Sequence, residues 1–155
     1  MAKEIERKFL LDLTQWQAIE KPAGEHFRQG YLVTDPQKTI RVRLTDTTGF
    51  LTIKGISTGA TRLEYEYEIP AEEAKELLDN FAVAELSKIR YKISYHNKLW
   101  EVDEFLGANK GLFVAEIELQ SEDEPFDLPT WVTQEVTGEE KYYNSNLTTH
   151  PYKNW

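Results

Sequence analysis

The fold of this chain is decided by a stretch in which charged and apolar side chains alternate, Arg62-Leu63-Glu64-Tyr65-Glu66-Tyr67-Glu68-Ile69. Successive side chains of a β-strand point to opposite faces, so the stretch predicts a strand with carboxylates on one face and apolar groups on the other. The residues that follow, 71–82, predict a helix, because apolar residues recur at helical spacing behind an acidic first turn.

The same alternation recurs along the chain and predicts further strands. Turns at residues 46–49 and 96–97 join two pairs of these strands into hairpins. A second, short helix is predicted to begin after Asp12 or Thr14, and the acidic, proline-bearing residues 121–129 predict a surface loop. The further predicted strands are residues 4–11, 28–32, 39–44, 50–54, 88–95, 99–105 and 113–119.

Roughly eight strands with few helices predict an α+β protein built on an antiparallel sheet. Periodicity alone does not decide whether this sheet closes as a barrel or packs as a sandwich. A length of 155 residues predicts one domain over residues 1–155.

Composition excludes several classes of function. The chain has no cysteine, which excludes disulfides, thiolate metal sites and thiol nucleophiles. A net charge of -9 opposes binding to nucleic acid, because that binding needs a basic surface. The charged N-terminus and the lack of a long apolar run predict a cytoplasmic protein with no membrane partner.

The polar faces of the predicted strands carry two groups of charged side chains. Carboxylates two residues apart on a strand are about 7 Å apart, which suits hard cations held between strands. Arginines and lysines on adjoining strands suit several phosphate groups at once. The carboxylates are Glu4, Glu6, Glu64, Glu66, Glu101, Asp103, Glu116 and Glu118, and the cations are Lys8, Arg41, Arg43, Lys54, Lys88 and Arg90, with Lys92 as a further candidate.

A simpler interpretation is that each strand turns one charged face to water, which is the commonest cause of alternation. Repeated Glu-x-Glu pairs argue against it, because like charges on one face repel each other unless a cation lies between them. If the charges instead fill a lumen, burial requires that both signs be present and paired. The sequence provides both signs.

The residues Glu4, Glu6 and Lys8 form an E-x-E-x-K pattern near the N-terminus, and an ordered series of other charged residues follows it along the chain. In this the chain resembles the CYTH proteins, also called triphosphate tunnel metalloenzymes, over nearly its whole length and looks closest to short bacterial inorganic triphosphatases. The pattern continues with Arg41-Val42-Arg43, Lys54, Glu64-Tyr65-Glu66, Lys88-Ile89-Arg90, Asp103 and Glu116-Ile117-Glu118, and includes Arg28-Gln29-Gly30-Tyr31-Leu32 on the second strand.

The resemblance implies an eight-stranded antiparallel β-barrel, a triphosphate tunnel with a few flanking helices, and two Mg²⁺ or Mn²⁺ ions. By this resemblance Glu4, Glu6, Lys8 and Tyr31 would be catalytic, although Tyr31 is equally compatible with packing alone. The implied metal ligands are Glu4, Glu6, Glu64, Glu66, Asp103, Glu116 and Glu118; the implied phosphate ligands are Lys8, Arg41, Arg43, Lys54, Lys88, Arg90 and, near a C-terminal helix, Lys141.

The expected activity is hydrolysis of a small-molecule triphosphate, with inorganic tripolyphosphate as the leading substrate. Two alternatives keep the tunnel: an adenylate cyclase of the kind that shares this fold, and a thiamine triphosphatase. A third, of another class, is a non-catalytic module that binds polyphosphate or nucleotides, which the intact Glu4, Glu6, Glu116 and Glu118 oppose. A homodimer is plausible.

Overall fold

A computed structural model describes residues 2–35 and 37–155. Three α-helices, α1 (Leu13–Ala18), α2 (Ala71–Phe81) and α3 (Asn144–Thr149), and three 3-10 helices flank the strands. The strands are β1 (Lys3–Leu11), β2 (Glu25–Val33), β3 (Lys38–Leu44), β4 (Gly49–Gly55), β5 (Thr61–Ile69), β6 (Ala84–Tyr95), β7 (Lys98–Phe105), β8 (Phe113–Glu118) and β9 (Val132–Glu135).

Eight of the strands form a closed antiparallel barrel. Strands β1 to β8 pair in the order β5-β4-β3-β2-β6-β7-β8-β1, and a pairing between β5 and β1 closes the ring. That closing contact is short, with Lys3 opposite Leu63 and Ile5 opposite Thr61. The predicted eight-stranded barrel is confirmed, and the alternative of an open sandwich is excluded.

Strand β9 is an addition that the alternation pattern did not predict. It pairs with the outer end of β1, where Phe9 lies opposite Glu135 and Leu11 opposite Val132. Only four residues long, β9 is too short to show a clear period, and it depends on β1 as a template. The preceding residues, 121–129, contain no helix or strand, as predicted.

Both predicted helices and both predicted hairpins are present. Helix α1 begins after Asp12, whose carboxylate accepts a hydrogen bond from the Gln15 amide at 3.2 Å. Strands β3 and β4 form one hairpin and β6 and β7 the other. In the second hairpin both turn residues, His96 and Asn97, have positive φ angles, as expected of a two-residue turn that follows strand twist.

Apolar side chains pack mainly on the outside of the barrel wall. Helix α1 covers an aromatic cluster in which Trp100 contacts Phe9 and Trp131 at ring distances of 5.5 and 5.9 Å. Helix α2 buries Leu78 against another part of the wall. It lies so close to β2 that a Cβ at Gly30 would come within 2.5 Å of Leu78. The packing therefore leaves the inner face of the strands to the charged residues.

One end of the barrel is closed by an apolar plug. Leu86, Phe105 and Val114 from the strands pack against Tyr142 and Leu147 from the C-terminal segment. Helix α3 is thereby fixed across this end. No helix in the described part of the chain has both the length and the apolar character needed to cross a membrane.

Candidate active site

The charged inner faces of the strands enclose a cavity of about 240 Å³. The central prediction, that the alternating acids and bases face one shared space, is therefore confirmed. The cavity brings together thirteen of the predicted site residues, which come from seven of the barrel strands: Glu4, Glu6, Lys8, Tyr31, Arg41, Arg43, Lys54, Glu64, Glu66, Lys88, Arg90, Glu116 and Glu118.

At one end of the cavity two carboxyl groups share a lysine. The Lys54 ammonium lies 3.1 Å from both oxygens of Glu4 and 3.1 Å from Glu64. Burial favours the neutral form of Glu4, but the Lys54 charge and a hydrogen bond with Glu64 outweigh it and lower its pKa to about 2. Burial and the neighbouring Glu4 raise the pKa of Glu64 to about 7. The pair therefore holds a proton near neutral pH.

Farther along β1, the carboxyl group of Glu6 is surrounded by other acids. Burial and the charges of Glu116 and Glu4 raise its pKa well above the usual range. Glu6 lies directly opposite Glu118 on β8, whose pKa is raised by burial and by Glu4 and Glu101. Glu6 forms none of the ion pairs found among residues 2–35 and 37–155. This wall of the cavity therefore crowds carboxyl groups together so closely that Glu6 and Glu118 resist losing their protons.

The opposite region holds cations in fixed positions through one buried acid, Asp103. Its carboxylate accepts hydrogen bonds from Arg90 at 2.7 and 2.9 Å and from Lys88 at 2.8 Å, and its exposed fraction is 0%. Burial opposes its charge, but Arg90 and Lys88 hold its pKa far below the usual range. Asp103 was predicted as a metal ligand; the structure instead places it behind the cavity wall, opposite Arg90 on the adjacent strand.

Two arginines of β3 provide cationic groups with only distant partners. The nearest carboxylate contacts of Arg41 and Arg43 are to Glu66, at 3.8 and 3.9 Å. Both Nε atoms are buried without a hydrogen-bond partner. Burial, Arg41 and Arg90 lower the pKa of Arg43 to about 10, and its guanidinium lies 4.7 Å from the Phe27 ring centre. Unsatisfied donors in a cationic pocket suit an anionic ligand.

Lys141 does not reach the cavity and is the second predicted site residue placed elsewhere. It belongs to the 3-10 helix Glu140–Tyr142, and its ammonium lies 4.6 Å from the Trp155 ring centre and 5.3 Å from that of Tyr142. Two aromatic rings attract a cation through their electron-rich faces, which holds this side chain outside.

Several cavity residues were missed by the sequence interpretation. Arg62 lies on the same face of β5 as Glu64 and Glu66, so the alternation could have identified it; its guanidinium donates to the Gly55 carbonyl at 2.8 and 3.1 Å. Thr39 on β3 lies two positions before Arg41, so the same rule identifies it. Glu101 on β7, already among the predicted polar-face carboxylates, also lines the cavity. The others come from loops and the C-terminal segment and carry no periodic signal: Ser57, Gly59, Ala60, Thr137, Gly138, Tyr143, Asn144 and Ser145.

The donor set of the cavity suits a hard divalent cation by its chemistry. All candidate ligands are carboxylate oxygens, the ligands that Mg²⁺ and Mn²⁺ prefer, and the repulsion at Glu6 and Glu118 would be relieved by a bound cation. In the described residues no three acidic or histidine side chains are arranged as a ready metal site. A metal ion that used Glu4 and Glu64 as ligands would compete with Lys54 for their carboxylate oxygens.

A closed antiparallel barrel with acids and bases facing one lumen defines this protein as a tunnel-type β-barrel. Residues 2–152 match the CYTH domain, and the chain belongs to the CYTH family.

Proteins of similar sequence and structure align with nearly the whole chain. The inorganic triphosphatase of Acetivibrio thermocellus is 49% identical over 156 residues, covering 100% of this chain and 99% of the relative. The inorganic triphosphatase of Nitrosomonas europaea is 35% identical, covering 93% and 95%. The crystal structure of an inorganic triphosphatase aligns with a TM-score of 0.64 and 31% identity, covering 96% of this chain and 95% of that one.

Proposed function

We propose that this protein is a divalent-metal-dependent triphosphatase that hydrolyses inorganic tripolyphosphate to pyrophosphate and phosphate inside the barrel. One observation carries the proposal: an enclosed cavity in which arginines with unsatisfied donors face a wall of mutually repelling carboxylates. An anionic chain with metal ions bound to it complements both walls. The activity of the two similar triphosphatases supports the choice of reaction.

The phosphate chain is bound by cations that line the cavity. Arg41 and Arg43 offer the forked donors that pair with phosphate oxygens, and their present contacts with Glu66 are loose enough to be exchanged. Lys88 and Arg90 are held in place by Asp103, so they need little reorganisation when charge develops on the phosphate. Lys8 and Lys54 complete this set of ligands.

The metal ions would be held by the carboxylates that line the cavity. Two Mg²⁺ or Mn²⁺ ions bound there would supply an activated water molecule and neutralise charge on the departing phosphate. This chain's residues hold the substrate in line and exclude bulk water, which accounts for most of the catalysis in phosphoryl transfer. The candidate metal ligands are Glu4, Glu6, Glu64, Glu66, Glu116 and Glu118.

Tyr31 lies in the wall beside Arg41 on the adjacent strand, and its exposed fraction is 4%. We assign its hydroxyl the task of orienting the leaving phosphate group, since it borders the cavity close to a phosphate-binding arginine. A Tyr31→Phe variant that keeps full turnover would leave this residue with packing alone.

The lining of the cavity favours a substrate without a base or a ring. Apart from Tyr31 and Tyr143, the side chains around the described cavity are charged, small or hydroxylic. A nucleobase or thiazolium group gains little from such a surface, because ring systems bind best against apolar and aromatic side chains. Tripolyphosphate needs only charge and hydrogen bonds.

The test measures phosphate release from tripolyphosphate, ATP and thiamine triphosphate, with Mg²⁺, with Mn²⁺ and with a chelator, and cyclic AMP in parallel. We expect metal-dependent turnover that is fastest with tripolyphosphate. Cyclic AMP as the main product, or faster turnover of thiamine triphosphate, would replace this proposal by one of the two other tunnel activities. Tight tripolyphosphate binding with no turnover under any metal would identify a binding module.

A further inference from the structure

The closed end of the cavity is formed in part by residues that lie outside the barrel strands. Tyr143, Asn144 and Ser145, where α3 begins, all line the cavity. Two of them contact lysines of the wall: the Lys8 ammonium lies 5.2 Å from the Tyr143 ring centre, and Lys88 donates to Asn144 Oδ1 at 3.1 Å. The C-terminal segment is therefore in contact with the proposed phosphate ligands.

The position of Asn144 is fixed by packing on both sides of it in the chain. Tyr142 and Leu147 are buried in the apolar plug. The buried side chain of Asn109 adds two hydrogen bonds, donating to the Leu147 carbonyl at 3.2 Å and accepting from the Tyr152 amide at 2.9 Å. Because this packing already holds Asn144 in place, its side chain does not lose further conformational freedom during catalysis.

Two fixed acceptors determine where the remaining donor of Lys88 points. An ammonium group has three hydrogens in a tetrahedral arrangement, on a stem with several rotatable bonds. One hydrogen of Lys88 goes to Asp103 at 2.8 Å and a second to Asn144. The third direction is then set, and Lys88 borders the cavity although its side chain is only 1% exposed.

We propose that Asn144 is a positioning residue for Lys88: by accepting one ammonium hydrogen, it aims the free N–H of Lys88 at the bound phosphate chain. This inference rests on the proposed function. It gives the C-terminal helix a part in turnover, since α3 carries the acceptor that the barrel strands do not provide at this point.

The first experiment observes the Lys88 ammonium directly, in the protein without substrate. Buried, hydrogen-bonded lysine ammonium groups exchange slowly and are visible in ¹H–¹⁵N correlation spectra, and the signal that disappears in Lys88→Met identifies Lys88. We expect Asn144→Ala to shift or broaden that signal and Asn144→Asp, which keeps an oxygen acceptor, to retain it. An unchanged signal in Asn144→Ala would overturn the proposal.

The matched control is Asn146→Ala in the same helix. Asn146 is the same residue type, does not line the cavity, and donates to the Glu140 carbonyl at 2.7 Å. It should leave the Lys88 signal and the turnover number as they are. If Asn144→Ala does not fold, as judged by circular dichroism, Asn144→Ser takes its place, since its hydroxyl is too short to reach Lys88.

The second experiment is a double-mutant cycle on steady-state hydrolysis of tripolyphosphate, at high enzyme concentration with substrate still in excess so that slow variants can be measured. Asn144→Ala should lower kcat about tenfold, the effect of losing one hydrogen bond to a charged group, with KM changed less than threefold. In the Lys88→Met background the same substitution should change the rate less than twofold. A tenfold loss in both backgrounds would show that Asn144 does not act through Lys88.

The two experiments separate this inference from the proposed function. A wild-type protein that neither hydrolyses tripolyphosphate nor binds it by calorimetry ends the proposed function, and with it the role of Asn144 in turnover. If the wild type is active but the Asn144→Ala and Lys88→Met substitutions have additive effects on the rate, only the inference about Asn144 fails. The same holds if the Lys88 signal is undisturbed in Asn144→Ala.

Discussion

The two ends of the cavity hold their charges in different ways. At the end formed by Glu4, Glu64 and Lys54, two carboxyl groups compete for one lysine and one proton. At the end formed by Lys88 and Arg90, one carboxylate, that of Asp103, satisfies both cations and has no exposed surface. The first arrangement could exchange its ion pairs for a metal ion, as the proposed function requires, whereas the second is complete without any ligand.

This difference separates residues that would rearrange on binding a metal ion from residues that are already positioned to bind phosphate. Preorganised charge costs folding energy but requires no rearrangement during the reaction. Charged groups that exchange partners cost less folding energy but must rearrange during the reaction. Substitutions at the two ends should therefore differ in whether they affect stability or activity.

The largest effect is expected at Asp103. Asp103→Ala leaves Lys88 and Arg90 buried without their shared partner, and removal of one member of a buried ion pair costs about 3–5 kcal/mol. Urea unfolding measures the loss. The control, Asp127→Asn, removes the negative charge from a contact with His96 between exposed side chains and should cost less than about 1 kcal/mol. Equal losses in both variants would show that the cationic end is not built around Asp103.

The next effect concerns activity at the carboxylate wall. Glu6→Gln should lower tripolyphosphate turnover roughly 100-fold or more, as for loss of a group that acts on the reacting charge. Stability without metal should stay the same or rise, because the substitution removes repulsion with Glu116 and Glu4. Glu68→Gln, which is on β5 but does not line the cavity, is the control for both measurements. Full activity in Glu6→Gln would remove Glu6 from the site.

Arg43 should chiefly affect binding. In the proposed mechanism Arg43 would contact phosphate both before and during the reaction, so in Arg43→Ala KM should rise about tenfold while kcat falls less than threefold. Steady-state kinetics with tripolyphosphate measures both constants. A large fall in kcat at constant KM would place Arg43 with the transition-state ligands instead.

The pH dependence of stability should reveal the shared proton of Glu4 and Glu64. The pKa of Glu64 is raised from 4.5 to about 7, so the folded metal-free protein binds more protons than the unfolded chain in that range. Its contribution to stability is present below pH 4.5 and is lost as the pH rises to 7. Glu4, with a pKa lowered to about 2, contributes above pH 4.5 and loses this contribution as the pH falls to 2.

Urea unfolding in chelator from pH 4.5 to 8 tests this, with Glu64→Gln as the comparison. The substitution should flatten the decline in stability over the neutral range. An identical slope in the wild type and in Glu64→Gln would mean that another group holds the proton.

The smallest effect is expected at Lys141. Because its ammonium lies over Trp155 and Tyr142, outside the cavity, Lys141→Ala should change kcat and KM by less than twofold. Activity assays under the conditions used for Arg43→Ala provide the measurement. A tenfold rise in KM would bring Lys141 back among the phosphate ligands.

Strand alternation predicted most of the cavity from the sequence, because a period of two assigns each side chain to a face. Thus Glu64 and Glu66 were assigned to one face together, and Arg62 follows from the same rule; the family resemblance placed that face in a lumen. Asp103 shows the limit of the rule. The period predicts which face a side chain is on, but it does not predict that the side chain is buried by pairing with a neighbouring cation, as Asp103 is with Arg90. Asn144 has no periodic signal, since it reaches Lys88 through chain folding after the last strand.

The aromatic cluster beneath α1 and the packing of α2 place the apolar mass of this protein around the barrel wall and not at its centre. The architecture is therefore inverted: apolar side chains pack around the barrel, and charged side chains line its interior. Neighbouring positions on one strand point alternately to the interior and to the surrounding apolar layer. Substitutions can therefore change the chemistry of the interior without altering the apolar contacts that hold the barrel together.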